Sequence, residues 1–139
     1  MFKKLGVCVM NKSIVMETYP VCSVKILKKE SKYKTVDEIL EFFKNKIQEH
    51  PSSDFISVFD HYSHTKNIGG EIASDIQAAK NIIFCFGVKM PNPTSLALRP
   101  RSFGVCELKE SFSIEFMQAP NPNIQGILEN WVTELREIA

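Results

Sequence analysis

Ile82-Ile83-Phe84-Cys85-Phe86 and, further on, Ser111-Phe112-Ser113-Ile114-Glu115-Phe116-Met117 decide the fold. The first run is apolar at every position, which suits a central strand covered on both faces. In the second, Phe112, Ile114 and Phe116 alternate with polar residues, as in a strand with one face buried. Between them, residues 87–101 carry Pro91, Pro93 and Pro100. Each proline removes a backbone donor, so this stretch cannot be regular throughout, and a long connection of this kind is where function often sits. Residues 103–108 and 111–117 read as a hairpin turning at Lys109-Glu110. Beyond it the last helix is signalled by Asn121 or Asn123 as cap and Pro122 in the first turn. Ile124, Ile127, Leu128, Trp131, Val132, Leu135 and Ile138 recur on its apolar face.

On the N-terminal side of the apolar run, Ile72, Ala73, Ile76 and Ala79 have helical spacing, so residues 71–80 are expected to form a short helix. Before it lies a polar segment, residues 61–70, broken at Gly69-Gly70, and a strand over residues 55–60. Thr35 with Glu38 three positions later is a capping-box pattern. Val36, Ile39, Leu40, Phe43 and Ile47 then trace one helical stripe that stops at His50-Pro51. Residues 21–28 are extended, and Tyr19-Pro20 is expected to interrupt the pattern before them. Residues 6–10 and 13–18 read as two further strands joined at Asn11-Lys12. Strands interspersed with three helices define an α+β fold: a mostly antiparallel, curved sheet covered by two main helices, with an N-terminal strand or hairpin extension.

At 139 residues, 44% of them hydrophobic, the chain fits one domain spanning residues 1–139. A domain of this size buries about two-thirds of the surface its unfolded chain exposes. Seventeen basic side chains against 16 acidic ones leave a net charge of +1. No global field attracts nucleic acid or an anionic membrane, and neither is expected as a partner. Cys8, Cys22, Cys85 and Cys106 show no metal-ligand spacing and read as free thiols in a reducing compartment. The start, Met1-Phe2-Lys3-Lys4, lacks a cleavage site after its short apolar run, so a cytoplasmic protein is expected.

From residue 21 onward the order is strand, helix, strand, short helix, three strands, long helix. With Asp60-His61 at a strand end, the Phe86-Gly87 turn, the proline loop and the closing hairpin, the chain resembles an uncharacterised bacterial family of small domains over residues 21–118. That family has a TATA-binding-protein-like fold (strand, helix, four strands, helix), a class that also includes helix-grip proteins. The resemblance implies a fold and little chemistry.

Four groups of residues can carry chemistry. Asp60-His61-Tyr62-Ser63-His64 sets two histidines three apart, the spacing of ligands on one helical face, with Asp60 placed to orient an imidazole. No third ligand is fixed by the sequence, so no metal site is assigned and His61 and His64 stand only as candidates; a short polar motif is more often solvated surface. Arg99-Pro100-Arg101, with Lys89 at the other end of the loop, suits an anion-binding rim; the plainer expectation is pairing with Glu107 or Glu115. Cys85 and Cys106, in apolar strands, read as structural rather than nucleophilic, and Glu107 and Glu115 as solvent-facing rather than as cavity acids. The aromatic residues, Phe86 and Trp131 among them, are core by the plain reading, yet a sheet gripped by a helix can leave an apolar pocket between them.

The expectation drawn from these residues is a non-enzymatic, homodimeric domain that binds a small apolar or anionic ligand, or associates with itself, and needs no cofactor. His61, Arg99, Arg101, Phe86 and Trp131 are its candidate ligand-binding residues. The alternatives are a metal-dependent or histidine-based hydrolase using Asp60, His61 and His64, and a purely structural interaction domain.

Overall fold

The computed structural model describes residues 10–137. Its strands are β1 (Met10–Val15), β2 (Tyr19–Leu27), β3 (Asp54–Phe59), β4 (Ala78–Cys85), β5 (Arg101–Glu107) and β6 (Ser111–Met117). Its helices are α1 (Val36–Glu49), α2 (His61–Asn67) and α3 (Pro122–Thr133), with 3-10 turns at Lys28–Glu30 and Pro93–Leu98. The strands form one antiparallel sheet in the order β1-β2-β6-β5-β4-β3. Strands β3 to β6 are a meander, whereas α1 carries the chain from β2 to the far edge of the sheet. The last strand, β6, then closes against β2. The α+β order expected from the sequence is therefore present.

Local signals set the two long helices. Thr35 Oγ1 accepts a hydrogen bond from Glu38 N at 3.1 Å, and the Glu38 carboxylate reaches back to Lys34 N at 2.7 Å. Two donors at the start of α1 are thereby satisfied. Val36, Ile39, Leu40, Phe43 and Ile47 are buried on its inner face. At the start of α3, Asn121 Oδ1 accepts from Asn123 N at 2.8 Å and Ile124 N at 3.4 Å, with Pro122 in the first turn where it costs no hydrogen bond. Leu128, Trp131 and Val132 are buried, and Leu135 packs inward just beyond the helix. Ile138, expected on the same stripe, lies outside the described residues.

Both helices cover one face of the sheet. Phe43 of α1 stacks on Phe103 of β5 with ring centroids 4.4 Å apart, and Phe103 also meets Phe84 at 5.1 Å and Phe116 at 5.2 Å. Trp131 of α3 reaches the same cluster through Phe84 and Phe86. Across the top, Lys46 of α1 pairs with Glu134 at 2.8 Å, which raises the Lys46 pKa. The alternate residues, among them Ser23, Lys25, Ser102 and Glu115, occupy the opposite face.

Several expectations are corrected. Residues 78–80 belong to β4, not to a helix: Ala78, Ala79 and Lys80 ladder with Glu107, Cys106 and Val105 of β5. Alanine is a helix former, but the available partner strand overrides that propensity. A short helix does occur, some ten residues earlier, where Asp60 caps α2 by accepting from Ser63 N at 3.0 Å. Strand β4 is interior but second from the edge rather than central. Only Ile82, Phe84 and the following Phe86 are buried, while Ile83 and Cys85 on the alternate side are half-buried. The first hairpin turns at Met16-Glu17, with Thr18 N donating to Val15 O at 3.1 Å; β1 runs straight through Asn11-Lys12. Pro20 does not interrupt β2, which starts at Tyr19. The expected strand over residues 6–9 lies outside the described residues.

Candidate ligand cavity

The proline loop is folded back over the sheet end at which β4 finishes, β5 starts, β6 finishes and α3 starts. Arg99 Nη1 donates to Lys89 O at 2.5 Å and so fastens the two ends of the loop together. Asn92 caps the 3-10 turn within it by accepting from Ser95 N at 3.1 Å. Chain direction changes at Gly87, whose φ is +26°. A Cβ there would lie 3.1 Å from Cys85 Sγ, so glycine meets both a backbone and a packing need.

Beneath the loop is a cavity of about 540 Å³, well within the range of small-molecule sites. Phe86, Val88, Pro91, Leu98, Ala119 and Ile124 give it an apolar lining. Three cations, Lys89, Arg99 and Arg101, contribute to the wall, and among the described residues no acidic side chain does. In a chain whose charges nearly cancel, that imbalance is local. Cys85, Asn121 and Asn123 complete the polar part. A shallower concavity of about 480 Å³ adjoins it, with Cys85 to Val88 as the shared rib and residues 51–54 as the far wall.

Arg101 is the unusual member. It pairs with Phe84 across the ladder, so it begins on the buried face, and its Nη2 donates to Met117 O. Its Nε is shut off from solvent with no hydrogen-bond partner among the described residues. Burial pulls its pKa below the ordinary guanidinium value, with the neighbouring Cys22 and Cys85 thiols acting the other way. The group still stays protonated; the shift records a positive charge held in poor solvent. The carboxylates expected to neutralise the arginines are engaged elsewhere. Glu107 pairs with Lys28 at 2.7 Å, and Glu115 accepts from the Ser23 and Ser113 hydroxyls. Neither glutamate lines the cavity.

The other sequence candidates separate. Phe86 is in the wall, and Trp131 stands behind it, stacked at 5.8 Å with an interplanar angle of 21°. His50, at the end of α1, abuts both rings edge-on. His61 is not part of the cavity. It lies on α2, where its ring and that of His64 each sit 5.3 Å from Phe59, with 6.4 Å between the two imidazoles. Asp60 does not orient either imidazole. Its two oxygens accept from Ser63 N and Ser63 Oγ, each at 3.0 Å, which holds its carboxyl below the usual carboxylate range. Among the described residues, no group of three or more His, Cys, Asp or Glu side chains is arranged to hold a metal ion. Burial pushes the Cys106 thiol up, as expected for a cysteine inside a strand. Sequence reasoning missed Cys85, Ala119, Asn121 and Ile124 as cavity residues. The first reads as strand core and the others as helix entry, and no spacing links them.

The fold and cavity define a two-layer α+β protein with one helix-covered sheet face and an end pocket. The chain belongs to a family of unknown function, DUF6858, whose pattern matches residues 10–137. No curated protein and no solved structure matches it. No helix among the described residues is long and apolar enough to cross a membrane.

Proposed function

We propose that this protein is a non-enzymatic binding domain whose ligand occupies the cavity beneath the proline loop. The observation that carries the reading is the cavity itself: about 540 Å³, apolar in its walls, positive in its polar part and without a carboxylate among the described residues. A core of this size ordinarily closes up by side-chain packing. Here Val88 and Leu98, at 70% and 66% exposure, stand over the opening instead. Native mass spectrometry of gently purified protein tests the reading, with Trp131 emission as a second readout because its ring backs the Phe86 wall. A small molecule that departs on denaturation, and is no longer retained by an Ala119→Leu variant that fills the cavity, is the expected result. A bare chain mass together with unchanged emission across a panel of small apolar compounds overturns it.

A second reading, self-association, is favoured by the sheet edges. Strand β3 carries a register shift between Phe55 and Ser57, and such irregularities protect an edge. Among the described residues β1 is the other edge strand; its register with β2 is unbroken, and Ile14 and Val15 on it are exposed. We propose that two copies pair through β1. Sedimentation should give a dimer that Ile14→Glu converts to a monomer; a wild-type monomer at high concentration refutes the pairing.

A further inference from the structure

We infer that the ligand carries a single carboxylate, held by the Arg101 guanidinium, and an apolar body lying along Phe86, Leu98 and Ile124. This rests on the cavity reading above and goes further by fixing the chemistry of the occupant. Charge is the first argument. Arg101 has no ion pair among the described residues, and a desolvated cation without a counter-charge is costly. Lys89 is exposed and Arg99 is occupied in tying the loop. Arg101, half-buried and with its Nε shut off from solvent, is the cation in the wall with the strongest need of a counter-charge, and one anionic group of charge minus one supplies it.

Available donors distinguish carboxylate from phosphate. A phosphate site normally collects several backbone N–H groups at a helix start. At the start of α3 those groups are already used: Asn121 Oδ1 takes the N–H of Asn123 and of Ile124, and Pro122 has none to offer. Among the side chains that line the cavity, Arg101 brings a planar guanidinium, and the donors it keeps beyond the Met117 O contact suit the two oxygens of a carboxylate. The apolar lining and the exposed Val88 and Leu98 side chains then call for a hydrocarbon body of chain or ring type, which the loop would shield from water.

The test uses the full chain and two matched pairs of probes, octanoate with octanol and phenylpropanoate with its alcohol. Binding is read by Trp131 emission and by ligand-observed NMR at fixed ionic strength. At least one acid should bind wild type about 10-fold or more tighter than its alcohol, as a charge-assisted hydrogen bond implies. Arg101→Gln should abolish that preference and leave the alcohol's affinity in place, and inorganic phosphate should not compete. Equal binding of acid and alcohol overturns the carboxylate inference while the cavity reading stands. Binding of none of the four probes removes the cavity reading and the inference with it. A preference that survives Arg101→Gln, or competition by phosphate, places the charge recognition elsewhere and also refutes the inference. Should Arg101→Gln fail to fold, Arg101→Lys serves: it keeps the charge without the fork, and an undiminished preference for the acid counts against the guanidinium.

Discussion

Gln125 ties the start of α3 to both the cavity wall and the sheet, and replacing it tests that arrangement. Its side chain is 7% exposed. The carbonyl oxygen accepts from Ala119 N at 2.8 Å, and the amide donates to Glu129 at 2.9 Å and to Cys22 Sγ at 3.4 Å. In Gln125→Glu the acceptor for Ala119 survives, but the donor facing Glu129 becomes a second carboxylate. Lys12, 3.6 Å from the same Glu129 oxygen, softens the repulsion without removing it. Burial and the neighbouring carboxylate both raise the folded-state pKa of the introduced acid above the unfolded value of about 4.3. The folded state then binds the proton more tightly, so the variant is near parity with wild type below about pH 4. Its stability falls as pH rises toward the folded pKa, by about 1.4 kcal/mol for each unit of elevation. Gln125→Met is the control. It leaves Ala119 N–H without an acceptor, costing about 1–3 kcal/mol, with no pH dependence of its own. Urea denaturation of the three proteins between about pH 4 and pH 8 provides the measurement. A Gln125→Glu protein as stable as wild type at neutral pH, with a difference flat across the range, refutes the reasoning.

Two further outcomes are expected. Met16 and Glu17 turn the first hairpin with φ of 54° and 62°, conformations that cost an ordinary L-residue about 1 kcal/mol or more. Asn-Gly at these positions should raise the urea midpoint by an equivalent of about 1 kcal/mol, and an unchanged or lowered midpoint contradicts the turn geometry. Asp60→Ala removes the cap of α2 and should cost about 1 kcal/mol, seen also as faster amide exchange over residues 63–68. Ser63 holds the Asp60 carboxyl below its ordinary pKa, so this contribution is present above about pH 4 and is lost as pH falls through the lowered folded value. The gap between wild type and variant must therefore close on acidification; a gap that widens contradicts the assignment.

The family match spans residues 10–137, so the elements that build the cavity all fall inside the matched segment. The matched segment includes the loop, the β5 start bearing Arg101 and the α3 cap.

The sequence alone determined α1, the β5–β6 hairpin and α3, because each is written in local contacts. Thr35 and Glu38 lie within one turn of each other, Phe112, Ile114 and Phe116 alternate along one strand, and Asn121 caps residues two and three positions away. It also marked Arg99, Arg101 and the proline loop as the place where polar chemistry meets an apolar sheet. Tertiary structure alone decided where β4 begins, since Ala78 and Ala79 become strand only because Glu107 and Cys106 lie alongside them. It also separated His61 from the arginines, by fixing α2 beside β3 while the loop folds over the opposite ends of β4 and β5. The cavity came from the same source. Cys85, Arg101, Ala119 and Ile124 are brought together by strand order and helix docking, long-range contacts that leave no periodic trace in the sequence.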